Sequence, residues 1–391
     1  MHTADSVDDG AAPGNRAATM GAYYTLYGMD VSYFTGKLEA YLRYKRVPYR
    51  RVEATWRTLI GPLRRHTGVA KVPVVETPAG EWLQDSTPMI DWFEARFPAG
   101  AVLPDDPLQA FCCRLLEDYA DEWLWRPALH YRWSYRRDAR LLGDRIASEV
   151  LSDLPLPHWL RAFNIRRRQH RVYVAGDGVR RETRAHVESV YTGTLARLEP
   201  LLAEQPFLLG ERPCLADFGF FASMFRHFSL DPTPARIMRD TAPAVHAWVA
   251  RLWNARHDRV GTRWPTAGTL PAGWTAVLRD VGEAHLPYLH ANAVAWRDGR
   301  RRFDCAVQGA PYRALPTVRY RVWCRERLQD HFEALPPEAR AVVRELLDAH
   351  GCWAPLWRDG RIASHLHDHD TPPLCRPPPD QRRWPSSAWN P

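Results

Sequence analysis

Lysine is scarce in this chain of 391 residues: only Lys37, Lys45 and Lys71 occur, and every other cation among the 53 is arginine. The formal net charge is +8. A guanidinium grips phosphate well, yet the arginines are scattered in short groups such as Arg166-Arg167-Arg168 and Arg300-Arg301-Arg302. No aromatic-interleaved basic stripe or nucleic-acid motif accompanies them, so nucleic acid is not expected as a partner. No run approaches the ~20 apolar residues of a membrane helix, and no membrane partner is expected. The N-terminus lacks the apolar segment of a secretory signal. Cysteine is sparse: of seven, Cys112 and Cys113 are adjacent and none forms a CxxC. A reduced, cytoplasmic protein is the simplest reading. The P-loop, GxGxxG, HExxH and GxSxG patterns are missing too, which argues against the chemistries they carry. What remains is 45% hydrophobic and 25% charged, a soluble globular composition long enough for two or three domains.

Residues 1–21 read as a disordered leader. Tyr23 to Tyr27 is a short aromatic and β-branched run, a strand. Phe34, Leu38, Tyr41 and Leu42 keep helical spacing up to Lys45, and Pro48 ends that helix. Tyr49–Glu53 reads as a second strand. Val72–Thr77 and Glu81–Leu83 read as two more around the turn Pro78-Ala79-Gly80. A helix opens near Asp85-Ser86-Thr87-Pro88, with Ser86 suited to the N-cap, and runs to about Phe97. Pro98 to Pro107 is a linker. Helical periodicity then dominates: Leu108 to about Arg132, Thr183–Glu204, Asp217–Phe228 and Ala244–Asn254. Residues 265–370 form an extension with helical sequence from Trp274 to Trp296, interrupted near Pro287. A small hairpin at Phe303–Leu315 follows, then helices Val318–Phe332 and Pro337–His350, stopped by Gly351. From Thr371 the chain is a Pro-rich tail.

Three segments carry chemistry. In Tyr27-Gly28-Met29-Asp30-Val31-Ser32-Tyr33-Phe34-Thr35-Gly36-Lys37, the Ser32 hydroxyl stands where a loop meets a helix N-terminus, a place that favours an anion. A hydroxyl donating to sulfur there stabilises a thiolate, the nucleophilic form; the same position also suits a plain N-cap. In Ala70-Lys71-Val72-Pro73-Val74, a proline opens a strand, which fits a cis bond or an edge position. A cis Val72-Pro73 bond turns the Val72 N–H and C=O outward, where an extended peptide pairs with them as an added strand. In Gln84-Asp85-Ser86, helix-terminal donors hold a carboxylate while Asp85 accepts from an ammonium, which fits an α-amino-acid end.

Together these segments resemble the N-terminal domain of the glutathione transferase superfamily over residues 22–98, and the resemblance continues through a helical domain, 107–260. It implies an α/β plus all-α fold: a thioredoxin-like N-terminal domain, a helical glutathione transferase C-terminal domain and a mainly helical extension. Ser32 matches the thiolate-activating serine of the serine-type, theta-like members; Tyr27 is the tyrosine-type alternative and Tyr33 is adjacent. Lys71, Val72, Pro73, Asp85 and Ser86 match the glutathione-binding positions. Leu208-Leu209-Gly210-Glu211-Arg212-Pro213-Cys214-Leu215-Ala216-Asp217-Phe218 looks like the helix-capping signature of the second domain. Cys214 replaces the usual Ser or Thr, so this helix start rests more on Asp217.

The resemblance implies a glutathione S-transferase with glutathione as co-substrate, a small hydrophobic electrophile, a role in detoxification, and a homodimer. Trp123, Trp125 and Tyr131 are candidates to line the acceptor pocket, as aromatic faces suit an apolar electrophile; core packing is the competing role. No metal is expected, and His365-Leu366-His367-Asp368-His369-Asp370 reads as solvated tail. The rival functions are a non-catalytic binding or scaffold module and a thiol-dependent dehalogenase, isomerase or peroxidase.

Overall fold

The computed structural model describes residues 23–366; the leader, the Pro-rich tail and His367 to Asp370 lie outside the described residues. Strand β1 (Tyr24–Gly28) leads into α1 (Tyr33–Lys45), which returns to β2 (Tyr49–Glu53). β2 lies parallel to β1, with Tyr24 opposite Tyr49 and Gly28 opposite Glu53. A kinked stretch comes next: α2 (Trp56–Thr58), a wide turn holding Pro62, and α3 (Arg64–Thr67). β3 (Val74–Glu76) pairs antiparallel with the other edge of β1, and β4 (Trp82–Gln84) antiparallel with β3. The sheet order is β2-β1-β3-β4, and α4 (Ser86–Glu94) closes the unit. This is a thioredoxin-like arrangement on a small mixed sheet. The start of α1 follows from local chemistry: Ser32 is the N-cap, and its Oγ accepts the Thr35 N–H at 3.3 Å.

The helical part comprises α5 (Pro107–Glu122), α6 (Trp125–Ser134), α7 (Arg136–Glu149), α8 (His158–Gln169), α9 (Arg184–Glu204), α10 (Leu215–Ser223), α11 (Pro232–Thr241) and α12 (Pro243–Asn254). The helix expected from Leu108 to Arg132 is two helices, parted at Trp123-Leu124. Pro127 has no N–H for the Trp123 carbonyl, and its ring crowds that oxygen, so the first helix stops there and the proline sits in the first turn of the next. Helices α7, α8 and α11 were not read from apolar spacing; α8 buries so little that it offers no stripe, with only Ala162 fully buried.

The extension holds α13 (Trp274–Asp280), α14 (Leu286–Arg297), the antiparallel hairpin β5 (Arg302–Val307) and β6 (Ala310–Pro316), α15 (Arg319–Glu333), α16 (Pro337–Ala349) and α17 (Trp353–Trp357). A wide turn over Val281–His285 takes up the interruption expected at Pro287. One continuous apolar core runs from the sheet through the helical part into the extension. Buried polar links seal the seam: Trp274 donates to the Leu208 carbonyl at 2.7 Å, Tyr119 to Asp280 at 2.5 Å, and His285 meets Asp118 at 2.6 Å. The six described cysteines are free thiols, and five of them, Cys112, Cys113, Cys214, Cys324 and Cys352, are buried.

Candidate functional site

At the C-terminal end of β1 the chain turns tightly. A Cβ on Gly28 would lie 2.4 Å from Thr35 Cγ2, so only glycine lets the strand end pass this close to α1. The loop then climbs through Asp30 to half-buried Ser32. Its path is held from behind: Arg132 donates to the Val31 carbonyl at 2.7 Å while its other nitrogens grip Asp231 at 2.7 and 3.0 Å. Burial pushes Asp30 up, but Arg51, Arg226 and Arg145 outweigh it and hold the carboxyl below its ordinary range. Ser32 Oγ receives the Thr35 N–H, a contact that uses a lone pair and leaves the hydroxyl proton for another acceptor.

The two tyrosine alternatives are committed elsewhere. Tyr27 donates to Glu76 at 3.0 Å, and its ring stacks on Trp82 at 5.3 Å. Burial and Glu76 raise its pKa. Tyr33 is fully buried, donates to the Ala120 carbonyl at 2.6 Å, and burial raises its pKa well above normal.

The Val72-Pro73 bond is cis. Among the described residues, neither the N–H nor the C=O of Val72 has a hydrogen-bond partner. Lys71 beside it is exposed to solvent. Burial pushes its ammonium below the ordinary range, against the pull of Glu122 and Asp85, with Arg321 adding to the push.

Asp85 is not followed by an Ser86 cap as expected; it is itself the N-cap position of α4, and Ser86 is the first helical residue. Asp85 has φ 70° and ψ 115°, a conformation that strains a residue with a Cβ. Its Oδ2 is buried with no hydrogen-bond partner among the described residues. Burial raises its pKa to about 6; Tyr320 and Lys37 pull it down, Glu117 and Glu122 push it up. Beneath this helix start lies a charged floor that sequence spacing did not reveal. Fully buried Lys37 of α1 pairs with Glu117 and Asp121 of α5 and donates to Thr87 at 3.2 Å. Thr87 donates in turn to Glu117 at 2.5 Å. The two carboxylates hold the ammonium charged against the desolvation of burial. Lys37 falls inside the first motif, but nothing in an apolar period marks a buried cation.

Of the three acceptor-pocket candidates, Trp125 alone is half-buried. Its ring stacks on Phe34 at 5.9 Å and meets the edge of Tyr173 at 5.6 Å. Trp123 is 1% exposed, enclosed by Tyr288, Tyr312 and His285, and Tyr131 packs among Tyr135, Tyr191 and Phe228. Both belong to the core: each stands at the base of α6 or the end of α5 where other elements close over it. Phe34 and Tyr173 are the aromatic neighbours that the sequence reading missed. Among the described residues no group of three or more His, Cys, Asp or Glu is placed to hold a metal ion.

The site therefore gathers an N-capping hydroxyl, a strand-like peptide unpaired among the described residues, and a half-buried carboxylate with one oxygen that lacks a partner among them, all on the thioredoxin-like unit. Residues 26–101 match the family described as glutathione S-transferase, N-terminal domain, and residues 171–255 match glutathione S-transferase, C-terminal domain. Both domains of the glutathione S-transferase family are thus matched within this chain. Both matches stop short of the extension. No curated protein matches the chain. Among solved structures, a glutathione S-transferase from Methylobacterium radiotolerans in complex with glutathione sulfonate is 21% identical, over 59% of this chain and 90% of that one, with a TM-score of 0.37. One from Rhodospirillum rubrum is 18% identical over 64% and 97%, TM-score 0.40. A beta-etherase from Sphingobium is 19% identical over 59% and 94%, TM-score 0.40. In this transferase-like chain, helix α15 of the extension reaches the same region: Arg321 Nε lies 3.1 Å from Glu122.

Proposed function

We propose that this chain binds glutathione and activates its thiol for attack on a small apolar electrophile. The observation that carries the reading is the unmet hydrogen-bonding capacity at Val72 and Asp85, two groups whose needs a γ-glutamyl tripeptide meets together. The cysteinyl backbone pairs with Val72 beside Pro73 as an added strand. The γ-glutamyl ammonium meets Asp85, its carboxylate the Ser86 end of α4, and Lys71 takes the glycyl carboxylate. The sulfur then lies at Ser32, whose hydroxyl donates to it while the α1 N-terminus favours the negative charge. The thiol proton leaves to solvent, and the thiolate forms the new C–S bond with an electrophile such as an aryl halide resting on Phe34, Trp125 and Tyr173, while its C–halogen bond breaks and halide departs to solvent. Each pKa unit of thiol lowering needs about 1.4 kcal/mol of differential stabilisation; a hydroxyl and a helix end together supply one or two such units, roughly 1–3 kcal/mol.

In this reading 22–98 is the glutathione-binding domain, 107–260 the helical domain and 265–370 an extension of both. The protein works in the cytoplasm as a homodimer, in detoxification. The second reading, a binding module without turnover, draws on helix α15, whose Arg321 reaches Glu122 of α5 at 3.1 Å. Titration calorimetry with glutathione and conjugation assays with a generic aryl halide separate the two. Ser32→Ala is expected to keep glutathione binding, raise the bound thiol pKa by one to two units and cut turnover about 10- to 100-fold. Wild-type protein that binds glutathione yet conjugates none of a panel of electrophiles is a module; profiling that panel also separates conjugation from dehalogenation, isomerisation and peroxide reduction.

A further inference from the structure

Helix α8 packs on α7 along one narrow line. It buries Ala162, and the two helices touch closely there: a Cβ on Gly143 of α7 would lie 2.5 Å from Arg166 Cγ. The opposite face is bare. Trp159 is 68% exposed and Phe163 48%, with Leu156, 43% exposed, just before the helix. A single exposed apolar side chain is ordinary, but three large ones within eight residues mark a contact surface. Trp159, Phe163 and Arg167 recur at every fourth residue and therefore share one face. Arg171 keeps that spacing into the wide turn at His170–Ala175.

The charge on this stretch has one sign. From Leu154 to Gly176 there is no Asp or Glu, against five arginines. Two of the five are engaged by the protein: Arg161 donates to the Leu151 carbonyl at 2.5 Å, and Arg166 reaches Asp144 of α7 at 3.5 Å. Arg167, Arg168 and Arg171 are exposed, and none of them forms an ion pair among the described residues. What covers this surface must therefore be apolar and anionic at once. A bilayer surface is both, in layers: anionic headgroups at the level an arginine reaches, and hydrocarbon just below, where Trp and Phe rings settle. A second copy of the chain fits less well, since a two-fold contact centred on this face sets its arginines against themselves. Stacked bases use aromatic rings, but not the aliphatic Leu156. No helix among the described residues is long and apolar enough to cross a membrane, and lying in its surface needs no such length.

We propose that α8 docks the protein on the surface of anionic phospholipid membranes. Leu156, Trp159 and Phe163 enter the boundary between headgroups and acyl chains, and Arg167, Arg168 and Arg171 meet the headgroups. The cytoplasmic leaflet carries such lipids. The inference stands apart from the glutathione reading, because it uses none of Ser32, Val72 or Asp85.

The experiment is co-sedimentation of the full chain with vesicles of phosphatidylcholine, alone or with about one-third phosphatidylserine, at low and high salt. Wild type is expected to sediment with the anionic vesicles only, and less so at high salt. Arg167→Gln with Arg171→Gln is expected to weaken binding about 25-fold, roughly fivefold for each charge. Trp159→Ala with Phe163→Ala is expected to weaken it at least about tenfold and to leave the salt dependence of the remainder in place. All four side chains are exposed, so both variants are expected to keep the wild-type urea midpoint. Wild type that stays in the supernatant with anionic vesicles, or binding that neither variant weakens, overturns the proposal. So does a dimer in light scattering that Trp159→Ala with Phe163→Ala dissolves while vesicle binding is absent, and so does a single-stranded oligonucleotide bound in preference to the vesicles.

Discussion

Ser32 gives one oxygen two duties. As an acceptor it caps α1; as a donor it is free to reach an anion, and the same helix end that needs the cap supplies the field. That is why sequence inspection alone cannot separate cap from catalyst: the residue type and its position suit both. Lys37 poses the opposite problem. It is fully buried with Glu117, Asp121 and Thr87 beneath the start of α4, and a cation in that place satisfies two carboxylates at once. Lys37→Met is expected to destabilise the fold by about 3–5 kcal/mol, since it strands two buried acids. Urea unfolding checks this, and a loss below about 1 kcal/mol would mean the acids find protons or water without difficulty.

Elements were legible where their signals are local. The strands around β1, the turn at Gly80, the start of α1 and the cis Val72-Pro73 bond all follow from short-range chemistry. Chain-distant packing was not legible. Neither the burial of Trp123 under Tyr288 and Tyr312 nor the closeness of Phe34 to Trp125 leaves a trace in spacing, because each contact joins segments far apart in sequence. Helix α8 shows the other limit, since a helix that buries one alanine has no stripe to read. The start of α10 was readable with its reason. Asp217 accepts from the backbone N–H groups of Cys214 at 2.9 Å and Leu208 at 3.0 Å, and from the Trp248 indole at 2.9 Å. Cys214 adds only a weak thiol donor at 3.2 Å. Asp217→Ala is therefore expected to cost about 3 kcal/mol, while Cys214→Ser stays within about 1 kcal/mol of wild type. Chemical denaturation of both variants tests the ranking, and equal losses would contradict it.

At the scale of the whole molecule, the extension is part of the core rather than an appendage. Trp274, Val277, Leu278 and Tyr288 are 1–2% exposed, and the polar seam at Asp118, Tyr119 and Leu208 is built half from each side. Removing residues 265–391 uncovers an apolar face and leaves those polar groups unpaired, so the shortened chain is expected to be insoluble or molten. Calorimetry of the intact chain should show one cooperative transition; a separate early transition for the extension would argue for a loosely attached unit.

The buried cysteines bear on how the chain meets reactive electrophiles. Burial lifts the thiols of Cys112, Cys214, Cys324 and Cys352 above their usual range, with Cys352 pushed up to about 12. At neutral pH they stay protonated and walled off, so an alkylating molecule diffusing into the cleft meets no competing sulfur from these four.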